Sequence, residues 1–559
     1  MKISKDASYA IIEKINCLYG DQAQTTIEAL QSILDEFSLS DFAPKAPLTQ
    51  KTAYLITYGD AIQETGKSPL TALHDLLKAK IKGSISDVHL LPMFPYTSDD
   101  GFSVTDYEVI NPEYGDWSHI ESLSQDYRLM FDFVANHMSR SSQWFQNYLN
   151  DVPGFEDAFV TYDENFDSSK TTRPRTSPLF HEYVGEKGIT KRAWSTFSED
   201  QVDVNIQDPA MFARLTKVLL DYAAKGAASI RLDAIGFLWK ESGTTSMHLE
   251  QTHEIIKIWR LLLDEIAPHT QIITETNVPH AENISYFGQN DEANQVYQFP
   301  LPPLTLHAFT VGNAEKLSEW AKKIDHVGEN ETYFNFLASH DGIGMRPTEG
   351  ILTEEERETL VAKVKMQGGR ISYKSNPDGT QTVYEMNINY SDALRNAGED
   401  DATAVQKMKA AHSILLSVLG VPAIYYHSLF GSRNDYVGLE SSGINRRINR
   451  EKLDGPTLAE ELLHNPYRKG IFNGLIEMLD VRSTQTAFNP YGTQEILDLD
   501  ARIFAVKRHN SKTGATVLSL TNVSDQAVTL MNIQGTNLLT GEKTTGTLHL
   551  PAYAYAWIK

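Results

Sequence analysis

From about residue 52 the chain alternates short β-rich apolar runs with amphipathic helical stretches, and polar or charged residues stand at the C-terminal ends of those runs. The runs include Ala53-Tyr54-Leu55-Ile56-Thr57, Asp87-Val88-His89-Leu90-Leu91, Leu129-Met130-Phe131-Asp132-Phe133-Val134, Ser229-Ile230-Arg231-Leu232-Asp233 and Gln271-Ile272-Ile273-Thr274-Glu275. Strand–helix alternation dictates a mainly parallel sheet, because a parallel partner can be reached only through a crossover. The polar ends are Asn136-His137, Asp233, Glu275 and His340-Asp341. In a closed barrel those ends gather on one face, and in an open sheet they form a crevice where the strand order reverses. The number of runs favours an α/β fold of the (β/α)8 TIM-barrel type.

The remaining segments attach to that barrel. Residues 1–50 read as a helical extension, with Ile11, Ile12, Ile15 and Leu18, then Ile27, Leu30, Ile33 and Leu34, at helical spacing ahead of Ala43-Pro44-Lys45-Ala46-Pro47. Between His137 and Arg231 lie about ninety residues rich in Pro, Asp, Ser and aromatics, too many for an ordinary βα loop. An inserted subdomain after the third strand, residues 139–205, is expected, which divides the barrel into 51–138 and 206–474. Strand-like runs such as Ala501–Val506 and Ala515–Leu520 predict a C-terminal antiparallel β-domain over 475–559.

Charge and cysteine content narrow the function. A formal net charge of −23 argues against a nucleic-acid surface, which needs clustered cations, and an anionic membrane would repel it. Cys17 is the only cysteine, so neither an intrachain disulfide nor a thiolate metal cluster can form. The N-terminal residues lack a secretory apolar core and no apolar run reaches membrane-spanning length, so a cytoplasmic location is expected. No His-x-x-x-His pair, acidic calcium loop or glycine-rich phosphate fingerprint is present, and Gly342-Ile343-Gly344 lacks the third glycine of a dinucleotide site. No metal or cofactor is expected.

Asp233, Glu275 and Asp341 have the residue types needed to cleave a glycosidic bond with retention. That reaction uses two carboxyl groups about 5 Å apart, one attacking the anomeric carbon and one protonating the leaving oxygen. Arg231, two residues before Asp233, favours an ionised nucleophile there, whereas Glu275 follows an apolar strand where burial favours a proton-bearing acid. Asp341 can stabilise the charge of an oxocarbenium-like transition state. A single acidic residue at a strand end is more often a helix cap or an ion-pair partner, and the combination carries the argument.

Phe131-Asp132-Phe133-Val134-Ala135-Asn136-His137, Ile230-Arg231-Leu232-Asp233-Ala234, the Glu275 strand end and Ser339-His340-Asp341 resemble, in order and spacing, the motifs of the α-amylase family, glycoside hydrolase family thirteen. Asp99-Asp100-Gly101-Phe102-Ser103, Asp233-Ala234-Ile235-Gly236, Lys240-Glu241-Ser242-Gly243-Thr244, His340-Asp341-Gly342-Ile343-Gly344 and Asn445-Arg446-Arg447-Ile448-Asn449-Arg450 are similar to its sucrose phosphorylase branch. The resemblance implies a closed pocket in which Asp99 and Arg446 grip one glucose, helped by His137, Arg231 and His340. It implies an α-glucoside and inorganic phosphate as partners, phosphate replacing water as the attacking group. Family members often hold calcium near the position of Asn136, but this branch generally lacks it.

Thr274-Glu275-Thr276-Asn277-Val278-Pro279-His280, Gly431-Ser432-Arg433-Asn434-Asp435-Tyr436 and the N-terminal extension depart from the sucrose enzymes and resemble the glucosylglycerate phosphorylases. That implies 2-O-α-glucosylglycerate plus phosphate giving α-glucose 1-phosphate plus glycerate. Both anions then need cationic partners. Arg433 and Arg346 are the first candidates, with Arg192, Arg173 and Arg175 also in loops near the barrel mouth. Sucrose or glucosylglycerol phosphorolysis, exo-acting α-glucoside hydrolysis and noncatalytic carbohydrate binding are the competing readings.

Overall fold

A computed structural model of the chain describes residues 3–376 and 378–559. Eight strands form a closed barrel: β1 (Tyr54–Thr57), β2 (Asp87–Leu90), β3 (Arg128–Phe133), β4 (Ser229–Leu232), β5 (Gln271–Thr274), β6 (Gln295–Tyr297), β7 (Thr332–Phe336) and β8 (Val421–Tyr425). Each pairs in parallel with its neighbours in sequence, and β8 closes on β1 with Tyr54 opposite Ala423. The strands are buried on both faces, which is why they read as short continuous apolar runs.

Four helices show how the N-terminal extension is held. They are α1 (Lys5–Tyr19), α2 (Ala23–Asp35), α3 (Pro209–Ala224) and α4 (Glu250–Ile266). α1 starts where Ser4 Oγ accepts the Ala7 amide, buries Ile11 and Ile15, one turn apart, and packs on α2 and α4. Lys14 pairs with Glu254 at 2.8 Å across that contact. α2 packs on α3, and the buried Tyr19 hydroxyl donates to the Ile206 carbonyl at 2.8 Å. α3 itself begins in a compact signal, with Asp208 capping Ala210 and Met211 and Pro209 in the first turn.

Between β3 and β4, His137–Ser139 pairs antiparallel with Gln201–Asp203 and Phe180–Val184 with Thr190–Trp194. A second excursion follows β7, a segment left inside the regular barrel repeat by the sequence reading. There Gln381–Asn387 pairs with both Ile343–Gly344 and Arg370–Ser375. Helix Pro466–Ser483 runs through the expected boundary at 475, and the strand-rich region starts at Thr493. Thr493–Ile496, Ile503–His509, Thr516–Asn522 and Tyr555–Ile558 form one antiparallel sheet, and Val528–Thr536 pairs with Lys543–Leu550. Among the described residues no helix is long and apolar enough to cross a membrane.

Candidate active site

Alternation along β4 turns Arg231 and the following Asp233 to the same side of the strand. The buried Arg231 guanidinium reaches three groups. Its Nη1 donates to Asp132 Oδ1 and to Asp233 Oδ1, both at 2.8 Å, and its Nε donates to Tyr297 Oη at 3.0 Å. Asp132 is fixed in turn by His89 Nε2 at 2.9 Å. Just past Asp233, Ala234 takes a left-handed conformation, φ 47°, which aims its amide at Glu275 Oε2, 2.9 Å away. Glu275 Oε2 lies 3.7 Å from the Arg231 guanidinium.

Burial pushes both the Asp233 and the Glu275 carboxyls up, with Arg231 opposing it at each. Two such groups sharing one site share one proton. Arg231 is bonded directly to Asp233 and is nearly an ångström further from Glu275, so it opposes burial at closer range at Asp233 than at Glu275. Asp341 behaves differently: burial pushes its carboxyl up, but Arg446 and Arg450 outweigh burial and hold it below the usual range.

Arg446 anchors the side of the pocket opposite these strands. Its Nη1 meets Asp341 Oδ1 at 2.8 Å, while Nε and Nη2 grip Glu385 Oε1 and Oε2 at 2.8 and 3.0 Å. Asp99 stands 3.9 Å from Arg446 and accepts from Gln201 Nε2 at 3.2 Å. Asp99 and Asp100 both have positive φ, 53° and 46°, a cost of about 1–3 kcal/mol each that needs an external hold. Arg447 and Arg450 supply it, clasping the Asp100 carboxylate at 2.7 and 2.9 Å. His340 stacks on Phe102 with ring centroids 4.7 Å apart. Burial and the neighbouring Arg450 and Arg231 press its imidazole well below the usual range, so it meets a ligand as a neutral group. His137 Nε2 lies 2.9 Å from the Phe102 carbonyl, and burial lowers its pKa too.

These groups line a pocket of about 790 Å³ at the C-terminal ends of the strands. Asp99, His137, Asp233, Glu275, His340, Asp341, Arg346 and Arg446 all face it, with Arg231 beneath its floor. Arg433 does not. Its Nε is held at 2.5 Å by Asp392, its side chain is half-exposed, and its guanidinium lies over Tyr467. Arg192 stacks on Tyr162 outside the pocket. Arg175 does enter, its guanidinium 5.1 Å from the Tyr384 ring centroid and 5.4 Å from that of Phe197. The sequence reading missed Glu385, Tyr384 and Lys374, which come from the excursion after β7, and Gln201 from the insertion.

Near Asn136 a cation is built into the chain. The buried Lys240 ammonium lies 2.8 Å from Asn136 Oδ1 and 2.7 Å from Asp203 Oδ2, where it occupies those two oxygens. Among the described residues no group of three or more His, Cys, Asp or Glu is arranged to hold a metal ion.

Residues 82–376 match the protein family described as Alpha amylase, catalytic domain. The chain belongs to the α-amylase family. It is 44% identical over 521 residues to the glucosylglycerate phosphorylase of Spirochaeta thermophila, covering 92% of this chain and 88% of that one. It is 43% identical over 560 residues to the glucosylglycerate phosphorylase of Allomeiothermus silvanus, covering 100% and 99%. The crystal structure of sucrose 6F-phosphate phosphorylase from Thermoanaerobacter thermosaccharolyticum superposes with a TM-score of 0.75 at 22% identity, over 91% of this chain and 100% of that one. That likeness establishes the shared fold.

Proposed function

We infer that this α-amylase-family chain is a retaining α-glucoside phosphorylase that converts 2-O-α-glucosylglycerate and phosphate into α-glucose 1-phosphate and glycerate. The observation that carries the reading is the charge of the outer pocket. Arg175, Arg346 and Lys374 line it beyond the carboxylates. Among the described residues, the only salt bridge any of the three makes is Arg346 with Glu282, at a distance of 4.0 Å. In a chain of net charge −23, cations left without close carboxylates inside a pocket suit ligands that bring their own negative charge, as glycerate and phosphate do and as glycerol and fructose do not. The relatives' names point the same way.

In this reading Asp233 attacks the anomeric carbon while Glu275 protonates the departing O2 of glycerate, and a β-glucosyl-enzyme forms. Phosphate enters where glycerate left, Glu275 takes its proton, and the oxygen attacks from that side to restore the α-configuration. Asp99, Asp341 and Arg446 hold the glucose hydroxyls at the inner end, with neutral His137 and His340 beside them, and Arg231 favours the ionised form of Asp233. The subdomain division over 139–205 and a cytoplasmic site of action belong to the same proposal.

The test is release of glucose 1-phosphate from 2-O-α-glucosylglycerate, sucrose and glucosylglycerol with and without phosphate, using Asp233→Ala as the blank. Phosphate-dependent product from glucosylglycerate alone is expected. Free glucose released without phosphate would make the protein a hydrolase instead.

A further inference from the structure

Beside the active-site pocket lies a second one of about 800 Å³, and the two share Thr172, Arg346 and Lys374. Its lining differs in kind from the rest of this acidic protein. Lys170, Arg173, Arg346 and Lys374 supply four cations, and every other lining residue is a serine, threonine or asparagine. Among the described residues none of its lining is acidic or apolar. Thr171, buried in this wall, has a hydroxyl with no hydrogen-bond partner, and such a group costs free energy unless a ligand satisfies it. Arg346 and Lys374 lie close enough that the guanidinium adds to burial in lowering the Lys374 pKa. Two neighbouring cations with hydroxyl donors in the same lining are the makings of a site for a dianion rich in oxygen acceptors.

We propose that this pocket binds the phosphoryl group of a phosphorylated hydroxy-acid acceptor, so that the enzyme also transfers glucose to and from acceptors carrying a phosphate monoester beside the carboxylate. The shared cations give the geometry its meaning. An acceptor whose O2 hydroxyl sits at Glu275 and whose carboxylate meets Arg346 and Lys374 can send a phosphoryl group on C3 past them to Arg173 and Lys170. In the synthetic direction the bond between the anomeric carbon and the phosphate of glucose 1-phosphate breaks as Asp233 bonds to that carbon, and inorganic phosphate leaves with the proton from Glu275. O2 of the acceptor then attacks, Asp233 departs, and the O2 proton returns to Glu275. The inference rests on the proposed reading for the glucose end and for the O2 nucleophile.

The experiment compares glycerate with 3-phosphoglycerate as acceptors from glucose 1-phosphate, in the full chain and in Arg173→Met and Lys170→Met, residues that line only the second pocket. The wild type is expected to glucosylate both. In the double variant the preference for 3-phosphoglycerate over glycerate is expected to drop about 100-fold or more, the scale of losing two charge-assisted contacts. A wild type that glucosylates glycerate and leaves 3-phosphoglycerate untouched overturns this proposal and spares the main reading. One that accepts 3-phosphoglycerate alone upholds the pocket and overturns glycerate as the acceptor. If the double variant instead raises KM for inorganic phosphate with the acceptor preference unchanged, the pocket serves free phosphate and the proposal fails.

Discussion

Glu385 touches Arg446 with both carboxylate oxygens and lies deep in the wall of the pocket, 3% exposed at its side chain. Arg446 also holds Asp341 at 2.8 Å, so Glu385→Gln tests whether this pair positions the guanidinium or only fills space. The glutamine keeps one acceptor for Arg446 and turns the other into an N–H facing a guanidinium N–H. One charge-assisted bond is lost, worth about 1.5–3 kcal/mol. If Arg446 acts on the transition state, that loss corresponds to about a 10- to 150-fold fall in kcat/KM, at roughly 1.4 kcal/mol for each factor of ten. The assay is kcat/KM for glucose 1-phosphate with glycerate, alongside the thermal midpoint of the same preparations. A lower midpoint with kcat/KM unchanged within a factor of two would refute the reasoning, because Glu385 would then support the fold without positioning Arg446.

Glu275→Gln is expected to abolish turnover of glucosylglycerate, a loss of about 100-fold or more, and to spare α-glucosyl fluoride far better, because fluoride leaves without a proton; equal losses with both donors would remove Glu275 as the acid. The same variant carries a stability prediction. Burial raises the Glu275 pKa, so the folded chain retains a proton that the unfolded chain releases above about pH 4.3, and stability falls as pH rises through that window. Denaturant titrations should therefore find Glu275→Gln more stable than the wild type at pH 7, with the gain vanishing below pH 4, whereas an equal gain at every pH would count against that linkage. Lys240→Met leaves the buried Asp203 carboxylate without its cation, although Thr196 and Asn136 still donate to it. Breaking a buried pair from one side costs about 3–5 kcal/mol, and a denaturant shift worth less than about 1 kcal/mol would show that the ammonium is not what holds Asn136 and Asp203 together.

Legibility in the sequence followed the physical origin of each feature. β4 and β5 are legible because each is a short apolar run ending in a charged residue and the two recur in a strand–helix series, and Asp233 and Glu275 stand where that pattern puts them. β6 is three residues, Gln295, Val296 and Tyr297, and its place in the barrel comes from hydrogen bonds to β5 and β7 that its own composition does not encode. Glu385 was out of reach for a related reason. Gln381–Asn387 goes from exposed at its first residues to buried at its last three, so what buries Glu385 is the approach of the chain around Arg446, sixty-one positions later, and not a local period. The arginines mark the limit most clearly. Arg346 and Arg433 were equally plausible as loop cations, yet Asp392, forty-one residues before Arg433, takes that side chain away from the pocket, while Arg346 lines it with Glu282 no nearer than 4.0 Å. Whether a cation is available to a ligand depends on which carboxylates the fold brings near it.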